Sequence, residues 1–172
     1  MWKLVEQLLD VAGSLAALDK RRPRQASLRR AVSSAYYALF HRLGELCANE
    51  LVGWRKPWEA YSPIYRSIEH GRALNVLTER GSDRKHPLGE EIERIGVAFK
   101  ELQAAREWAD YNPEPHPNPS QTLAGEQFSR EDAIQLIAIA REAIGVVDKL
   151  DDAVRLNLAT RLVTRSRKET RR

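Results

Sequence analysis

Apolar residues recur every three or four positions along nearly the whole chain, and this spacing constrains the fold more than any other feature of the sequence. It places apolar side chains on one face of an α-helix, whereas a half-buried strand would show alternation. Neither strand-like alternation nor an internal repeat is found. The pattern predicts an all-α protein, an antiparallel bundle of four to five helices with a basic C-terminal helix or tail.

Prolines and glycines divide the first half of the pattern into helices. The first apolar stripe comprises Leu4, Leu8, Val11, Leu15 and Leu18. A second helix, from about residue 25 to 51, is apolar over so much of its circumference that we expect it to be central. Its stripe comprises Leu28, Val32, Ala35, Leu39, Leu43 and Leu46, with Tyr36, Phe40 and Cys47 widening the apolar face. One or two short helices are expected here, at about 57–68 and 72–79.

The second half of the chain predicts three further helices. Pro87 is expected as the first residue of a long helix, because proline is favoured at that position. The stripe of this helix comprises Ile92, Ile95, Phe99 and Leu102. Alternating prolines predict an extended loop over 112–128, and Ser129 is a good N-cap for a helix that reaches about residue 150. The stripe of that helix comprises Ala133, Ile137, Ala140, Ile144, Val147 and Leu150, and a basic helix is expected over about 152–165.

The 172 residues suit one domain, which we place at 1–154, followed by a basic C-terminal extension at 155–172. The net charge is +4, yet the extension alone contains seven basic residues against one acid. A second basic cluster, without any acid, lies between residues 20 and 30. Such clusters attract phosphate backbones, although a solubilising surface is an equally good interpretation of the charge alone.

The composition also excludes several classes of protein. A single cysteine, Cys47, excludes an intrachain disulfide framework and a multi-cysteine metal site. No targeting signal, membrane-spanning stretch, phosphate-binding glycine loop or metal-ligand spacing is found. We therefore expect a cytoplasmic protein that uses no metal, cofactor or membrane.

An arginine and an aspartate interrupt the apolar stripe of the helix that follows Pro87. Arg106 and Asp110 occupy the next two positions on the face that carries Phe99 and Leu102. A guanidinium on a core-facing stripe must be paired or must face a cleft. The two interpretations are an internal ion pair at the end of the bundle and a phosphate-binding arginine at the mouth of a pocket.

Two segments resemble the HEPN-domain family: AVSSAYYALFH (31–41), preceded by LRR, and REWADYNP (106–113) near the end of a later helix. A final helix that opens with FSREDA (128–133) matches the same pattern, and the resemblance covers about two-thirds of the chain. It implies a bundle of four or five helices that often forms homodimers. Many members are metal-independent ribonucleases of toxin–antitoxin and phage-defence systems, and others bind RNA or nucleotides without catalysis.

The resemblance also implies a catalytic signature, an arginine followed after four to six residues by a histidine. Arg106 matches the arginine, but Tyr111 occupies the histidine position. Phenols ionise at about pH 10 in general, so a tyrosine is a poor general base at neutral pH, although it can hydrogen-bond a phosphate or stack on a base. A literal match to the signature, Arg80 and His86, lies in a turn and is expected to arise by chance.

Polar residues on the second helix form a further candidate set. Arg30, Ser34, Tyr37 and His41 share one face, roughly opposite the apolar stripe. This face is interpreted as solvated, as a dimer surface or as part of a ligand cleft. We name Arg106 and Tyr111 as candidate catalytic residues. The candidate ligand-binding residues are Asp110, Tyr37, His41 and Arg30.

The remaining aromatic and histidine residues suggest structural roles. His70 precedes Gly71 and is expected to cap the C-terminal end of a short helix. The tryptophans are expected to be core or interface residues, and a stacking platform formed by Trp54 and Trp58 beside Arg55 is the less favoured alternative.

Three functions follow from these observations. The favoured one is a HEPN-like module that binds RNA, a nucleotide or a protein partner without catalysis. The alternatives are a metal-independent ribonuclease, with a cognate antitoxin or nucleotidyltransferase as partner, and a structural helical adaptor.

Overall fold

The fold is described by a computed structural model that covers residues 3–18, 23–112 and 127–164, and this part of the chain is entirely helical apart from its connections. The seven helices are α1 (Leu4–Ala17), α2 (Gln25–Leu51), α3 (Trp58–Tyr65), α4 (His70–Leu77), α5 (Glu90–Tyr111), α6 (Arg130–Lys149) and α7 (Asp152–Val163). Five are long enough to form the bundle, and α3 and α4 are short. The predicted all-α helical bundle is confirmed.

Helix α2 is the centre of the bundle, as its wide apolar face predicted. It packs against α1, α3, α5, α6 and α7. All six residues of its predicted stripe are buried, and so are Tyr36 and Cys47. The predicted stripes of α5 and α6 are buried as well. Because α2 contacts most other helices, side chains on its remaining polar face lie next to α3, α4 and α5.

The prediction for the buried face of α1 was wrong by about one residue. The helix buries Val5, Leu9, Ala12 and Ala16, whereas Val11 and Leu18 of the predicted stripe are each about half exposed. Small residues at 12 and 16 allow α1 to approach α2 closely, and these two helices form the most extensive pair in the bundle. The close approach of the two helices at the alanines therefore determines which face of α1 is buried, although the leucines of the predicted stripe are larger.

The start of α5 also differs from the prediction. The helix begins at Glu90, three residues after Pro87. His86 and Gly89 close a turn first, since the Gly89 amide donates to the His86 carbonyl at 3.0 Å. Gly89 has φ of 101°, a conformation that favours glycine. By contrast, the predicted Ser129 N-cap of α6 is confirmed by a reciprocal capping box with Asp132.

Two contacts fix the short helix α4 in place. Gly96 of α5 lies directly against the carbonyl of Leu77, so that a Cβ there would stand 2.0 Å from that oxygen. The guanidinium of Arg72 donates to the carbonyls of Arg161 and Leu162 at the end of α7. Helix α7 crosses the expected boundary at residue 154 and buries Leu158 and Leu162 in the common core, whereas residues 165–172 lie outside the described part.

Candidate functional site

Arg106 lies near the C-terminal end of α5, enclosed by aromatic rings. Its side chain is only 11% exposed. Nη2 donates to the hydroxyl of Tyr37 at 2.6 Å, and Nε lies 3.1 Å from Oδ2 of Asp110. The ring centres of Tyr36, Tyr37 and Tyr111 stand 5.6, 5.3 and 5.4 Å from the guanidinium carbon. Nε is buried and, despite its approach to Asp110, makes no hydrogen bond of favourable geometry, so the guanidinium is held by the Tyr37 hydroxyl, the ion pair and the surrounding rings.

Asp110 holds Arg106 from one turn further along α5. Residues four apart share a helix face, so the ion pair forms within the helix. The other carboxylate oxygen of Asp110 accepts from the hydroxyl of Ser33 at 2.6 Å. Arg30 also approaches this oxygen, at 3.9 Å, but its side chain is 76% exposed and the contact contributes little energy. The internal ion pair expected from the sequence is therefore present. The charges of Arg106, Asp110 and Arg30 together sum to +1.

His70 lies beside this arginine and does not end a helix, so the predicted C-terminal cap was wrong. It is the first residue of α4, and Gly71 lies inside that helix. The ring packs 4.1 Å from Phe40, and its Nδ1 lies 2.6 Å from the hydroxyl of Tyr36. Burial lowers the pKa of His70, and the positive charge of Arg106 acts in the same direction. The imidazole is therefore predominantly neutral at pH 7.

His41 makes an equivalent contact one turn further along α2. Its Nδ1 lies 2.6 Å from the hydroxyl of Tyr65 on α3, and the two rings stack with centres 5.8 Å apart. Burial lowers the pKa of His41, and His70 contributes to the same shift. The two histidines are thus electrostatic neighbours, and both are held by tyrosines.

The tyrosine contacts fix which ring nitrogen carries the proton. Burial raises the pKa of Tyr36 far above its usual value and that of Tyr65 to about 12, so both phenols stay protonated. The hydroxyl of the fully buried Tyr36 lies 2.6 Å from His70 Nδ1, and a protonated phenol at this position satisfies its O–H by donating to that nitrogen. The proton of the neutral His70 ring then resides on Nε2. The cluster therefore combines a guanidinium with imidazole N–H donors, an arrangement suited to holding an anion.

The structure brings the six sequence-predicted site residues onto neighbouring parts of α2 and α5. Tyr37, Asp110 and Tyr111 contact Arg106 directly, Arg30 reaches it through Asp110, and His41 adjoins it through His70. The ring of Tyr111, 72% exposed as a residue, borders the guanidinium. Sequence reasoning did not include Tyr36 and His70, because one belongs to the apolar face of α2 and the other joins the site only through a contact between different helices.

The literal signature match has another environment. Arg80 forms an ion pair with Glu93. His86 is 4% exposed, with Nε2 at 2.8 Å from the carbonyl of Val76 and Nδ1 accepting from the amide of Leu88. Both ring nitrogens of His86 are therefore engaged in hydrogen bonds that stabilise the turn before α5.

The tryptophans divide into two groups. Trp108 is buried as expected, between Arg29 and Phe128. Trp54, however, is 70% exposed and Trp58 is 36% exposed, so neither lies in the core, and the interface role expected as the other possibility stays a prediction. The loop after α2 turns outward at Gly53 and carries Trp54 with it. Trp2 lies outside the described residues.

Comparisons of the chain with protein-family models, curated proteins and solved structures give no match. Among the helices of the described ranges, none combines the length and apolar character that crossing a bilayer requires.

Proposed function

We propose that this chain is a HEPN-like module that binds the phosphate of RNA or of a nucleotide at Arg106, without catalysing a reaction. The observation that carries this proposal is the enclosed Arg106 guanidinium, whose buried Nε has no hydrogen-bond partner, beside the neutral ring of His70. A guanidinium and imidazole N–H groups are strong donors to phosphate oxygens. Tyr111 offers an exposed ring on which a base can stack.

The positive charge of the sequence supports a phosphate-bearing ligand over other anions. Arg30 lies at the edge of the cluster, with most of its side chain in solvent. The basic segments 20–30 and 155–172 add charge that would act on a polyanion over a longer range. In keeping with the resemblance, we also propose that the protein is cytoplasmic and forms a homodimer. Light scattering of the purified protein tests the dimer directly.

A metal-independent ribonuclease is the second candidate, because two imidazoles and a guanidinium are groups that RNA cleavage can use for proton transfer and charge stabilisation. The protonation state favours binding over catalysis. A neutral His70 that carries its proton on Nε2 donates a hydrogen bond there, and its lone pair on Nδ1 is taken up by the hydroxyl of Tyr36, so neither nitrogen is free to accept a proton from RNA. In this candidate the 2′-hydroxyl of RNA would need another base.

RNA binding by charge-matched variants tests the proposal. We expect Arg106→Ala to weaken binding of a fluorescent single-stranded RNA by roughly tenfold or more, the loss typical of a charged hydrogen-bonding group. Arg94→Ala removes the same charge from the same helix, at an exposed pair with Glu142, and should change affinity little. Thermal melting confirms that each variant is folded. Equal affinities of folded Arg106→Ala and Arg94→Ala would contradict the proposal.

A cleavage assay in EDTA separates the two candidates. RNA that is bound but not cleaved supports the binding module. Cleavage by the wild type that disappears in folded Arg106→Lys and His70→Asn establishes the ribonuclease instead. Absence of both binding and cleavage favours the structural adaptor.

A further inference from the structure

A second site lies at the C-terminal end of α2, where a cleft of about 340 Å³ opens between this helix and the segment leading into α3. Three aromatic residues, Trp54, Trp58 and Tyr61, form its walls. Its volume falls in the range of small-molecule pockets, at the lower end. Aromatic walls of this kind present flat surfaces on which a planar ring can stack.

The polar lining of the cleft contains an acceptor without a donor. Glu45 is only 7% exposed, and its Oε2 accepts from Nη1 of Arg42 at 2.9 Å. The other oxygen, Oε1, is buried and has no hydrogen-bond partner. Leaving a buried carboxylate oxygen unpaired costs free energy, which a ligand N–H would recover. Burial raises the pKa of Glu45 although Arg42 opposes the shift, as expected where donors are too few.

A donor group stands close to this acceptor. Oδ1 of Asn49 accepts from the hydroxyl of Tyr61 at 3.0 Å, which leaves its amide NH₂ for another partner. The lining thus pairs a carboxylate acceptor with an amide donor on one turn of α2. A heterocycle with adjacent N–H groups and a neighbouring carbonyl complements this pair, and guanine presents these groups along its Watson–Crick edge.

The charge around the cleft favours a ligand that is neutral at the ring and negative beyond it. Glu45 is the sole acid among the lining residues, and it shares the Arg42 guanidinium with Asp148. Lys56 lines the cleft, and the guanidinium of Arg55 lies 4.9 Å from the ring centre of Trp54. A cationic ligand would meet these positive groups, whereas the phosphate of a nucleotide would be attracted to them.

We infer that this cleft binds a guanine nucleotide, with the base stacked on Trp54 and Trp58, its N–H groups on Glu45 and its phosphate toward Lys56. The nucleotide is either free or part of a single-stranded RNA. The site is built from residues other than those of the Arg106 cluster, and the inference does not rest on the proposed function.

Calorimetric titration and tryptophan fluorescence of the full chain with GMP test the inference. We expect GMP to bind and to quench fluorescence, and CMP, UMP and ribose 5-phosphate to bind at least about tenfold more weakly. Trp54→Ala should weaken GMP binding by about tenfold, in line with the loss of one stacking surface. Glu45→Gln should reduce the preference for GMP, because it removes the carboxylate acceptor.

Matched variants separate this site from other effects. Leu156→Ala removes another exposed apolar side chain, from α7, and Glu50→Gln alters a carboxylate paired with Arg155. Both variants should retain GMP binding. Absence of GMP binding at millimolar concentration would overturn the inference, as would equal binding of ribose 5-phosphate or full retention of affinity in folded Trp54→Ala. An oligouridine with one central guanine that binds tenfold more tightly than both GMP and the same oligouridine without guanine identifies RNA as the source, and affinity equal to that of GMP identifies a free nucleotide.

Discussion

The hydroxyl of Tyr36, fully buried in the bundle, lies 2.6 Å from Nδ1 of His70 at the start of α4. This contact joins the central helix to a short surface helix and sets the orientation of an imidazole beside Arg106. A buried phenol that must donate its proton is a restrictive partner, since it selects one tautomer of the ring. The chemistry available at the candidate site therefore depends on a residue of the core.

Tyr36→Phe should change the tautomer of His70 with a modest loss of stability. The phenylalanine keeps the packing but removes the donor to Nδ1, so the ring proton redistributes between the two nitrogens. We expect the free energy of unfolding to fall by about 1 kcal/mol, as for loss of one neutral hydrogen bond. Nitrogen chemical shifts of the histidine rings report the tautomer, and urea denaturation reports stability. Unchanged tautomer populations in Tyr36→Phe would show that the phenol does not select the ring proton.

Stability should fall as the pH falls below about 6.5. Burial lowers the pKa of His70 and of His41 in the folded state; Arg106 adds to the shift at His70 and Glu107 opposes it. The unfolded chain then binds protons more readily, so stability is fully present above pH 6.5 and is lost toward the lower folded-state pKa. Urea denaturation at pH 7.5 and 5.5 measures the difference.

His70→Asn supplies the control for this pH dependence. The variant should lose less stability between pH 7.5 and 5.5 than the wild type, because one of the two titrating rings is absent. The comparison is needed because the raised pKa of Glu45 acts in the opposite sense and stabilises the folded state as the pH falls toward 4.5. An identical pH dependence in both proteins would assign the effect to other groups.

Periodicity predicted the helices whose apolar face is unambiguous. The stripes of α2, α5 and α6 are buried because a helix must cover a wide apolar face. On α1 the sequence offers two adjacent apolar stripes, and the choice depends on how closely α2 approaches, which local spacing does not encode. Larger side chains at Leu4 and Leu8 indicated one stripe, and close packing at Ala12 and Ala16 selected the other.

Sequence reasoning found the site residues that stand out within a single helix. It missed the residue that reaches the site only through contacts between different helices. Arg106 and Asp110 are recognisable from sequence because both interrupt a single stripe. His70 is not, since its position depends on the docking of α4 against α5 and on a contact with Tyr36, 34 residues away. A local pattern ending in glycine indicated a helix terminus, yet tertiary packing places that glycine inside α4.

Gly96→Ala should destabilise the protein by roughly 1–3 kcal/mol or more, because the new Cβ would stand 2.0 Å from the carbonyl oxygen of Leu77. The matched control is Gly145→Ala on α6, where nothing lies within 4 Å of the added Cβ. That substitution should be neutral or stabilising by about 0.5–1 kcal/mol, the usual gain of alanine over glycine within a helix. Thermal unfolding measures both. Equal melting temperatures of the two variants would show that α4 shifts to make room for the new Cβ without any loss of stability.

Removal of residues 165–172 should weaken RNA binding without unfolding the bundle. The segment contains five basic residues and one acid, whereas the core residues Leu158 and Leu162 are retained. Each phosphate contact to a single strand contributes a slope of about −0.7 to the dependence of log affinity on log salt concentration. We therefore expect both a lower affinity and a shallower slope, with an unchanged melting temperature. An unchanged slope would show that these charges make no phosphate contact, and the anion-binding role would then belong to the Arg106 cluster and the basic segment 20–30.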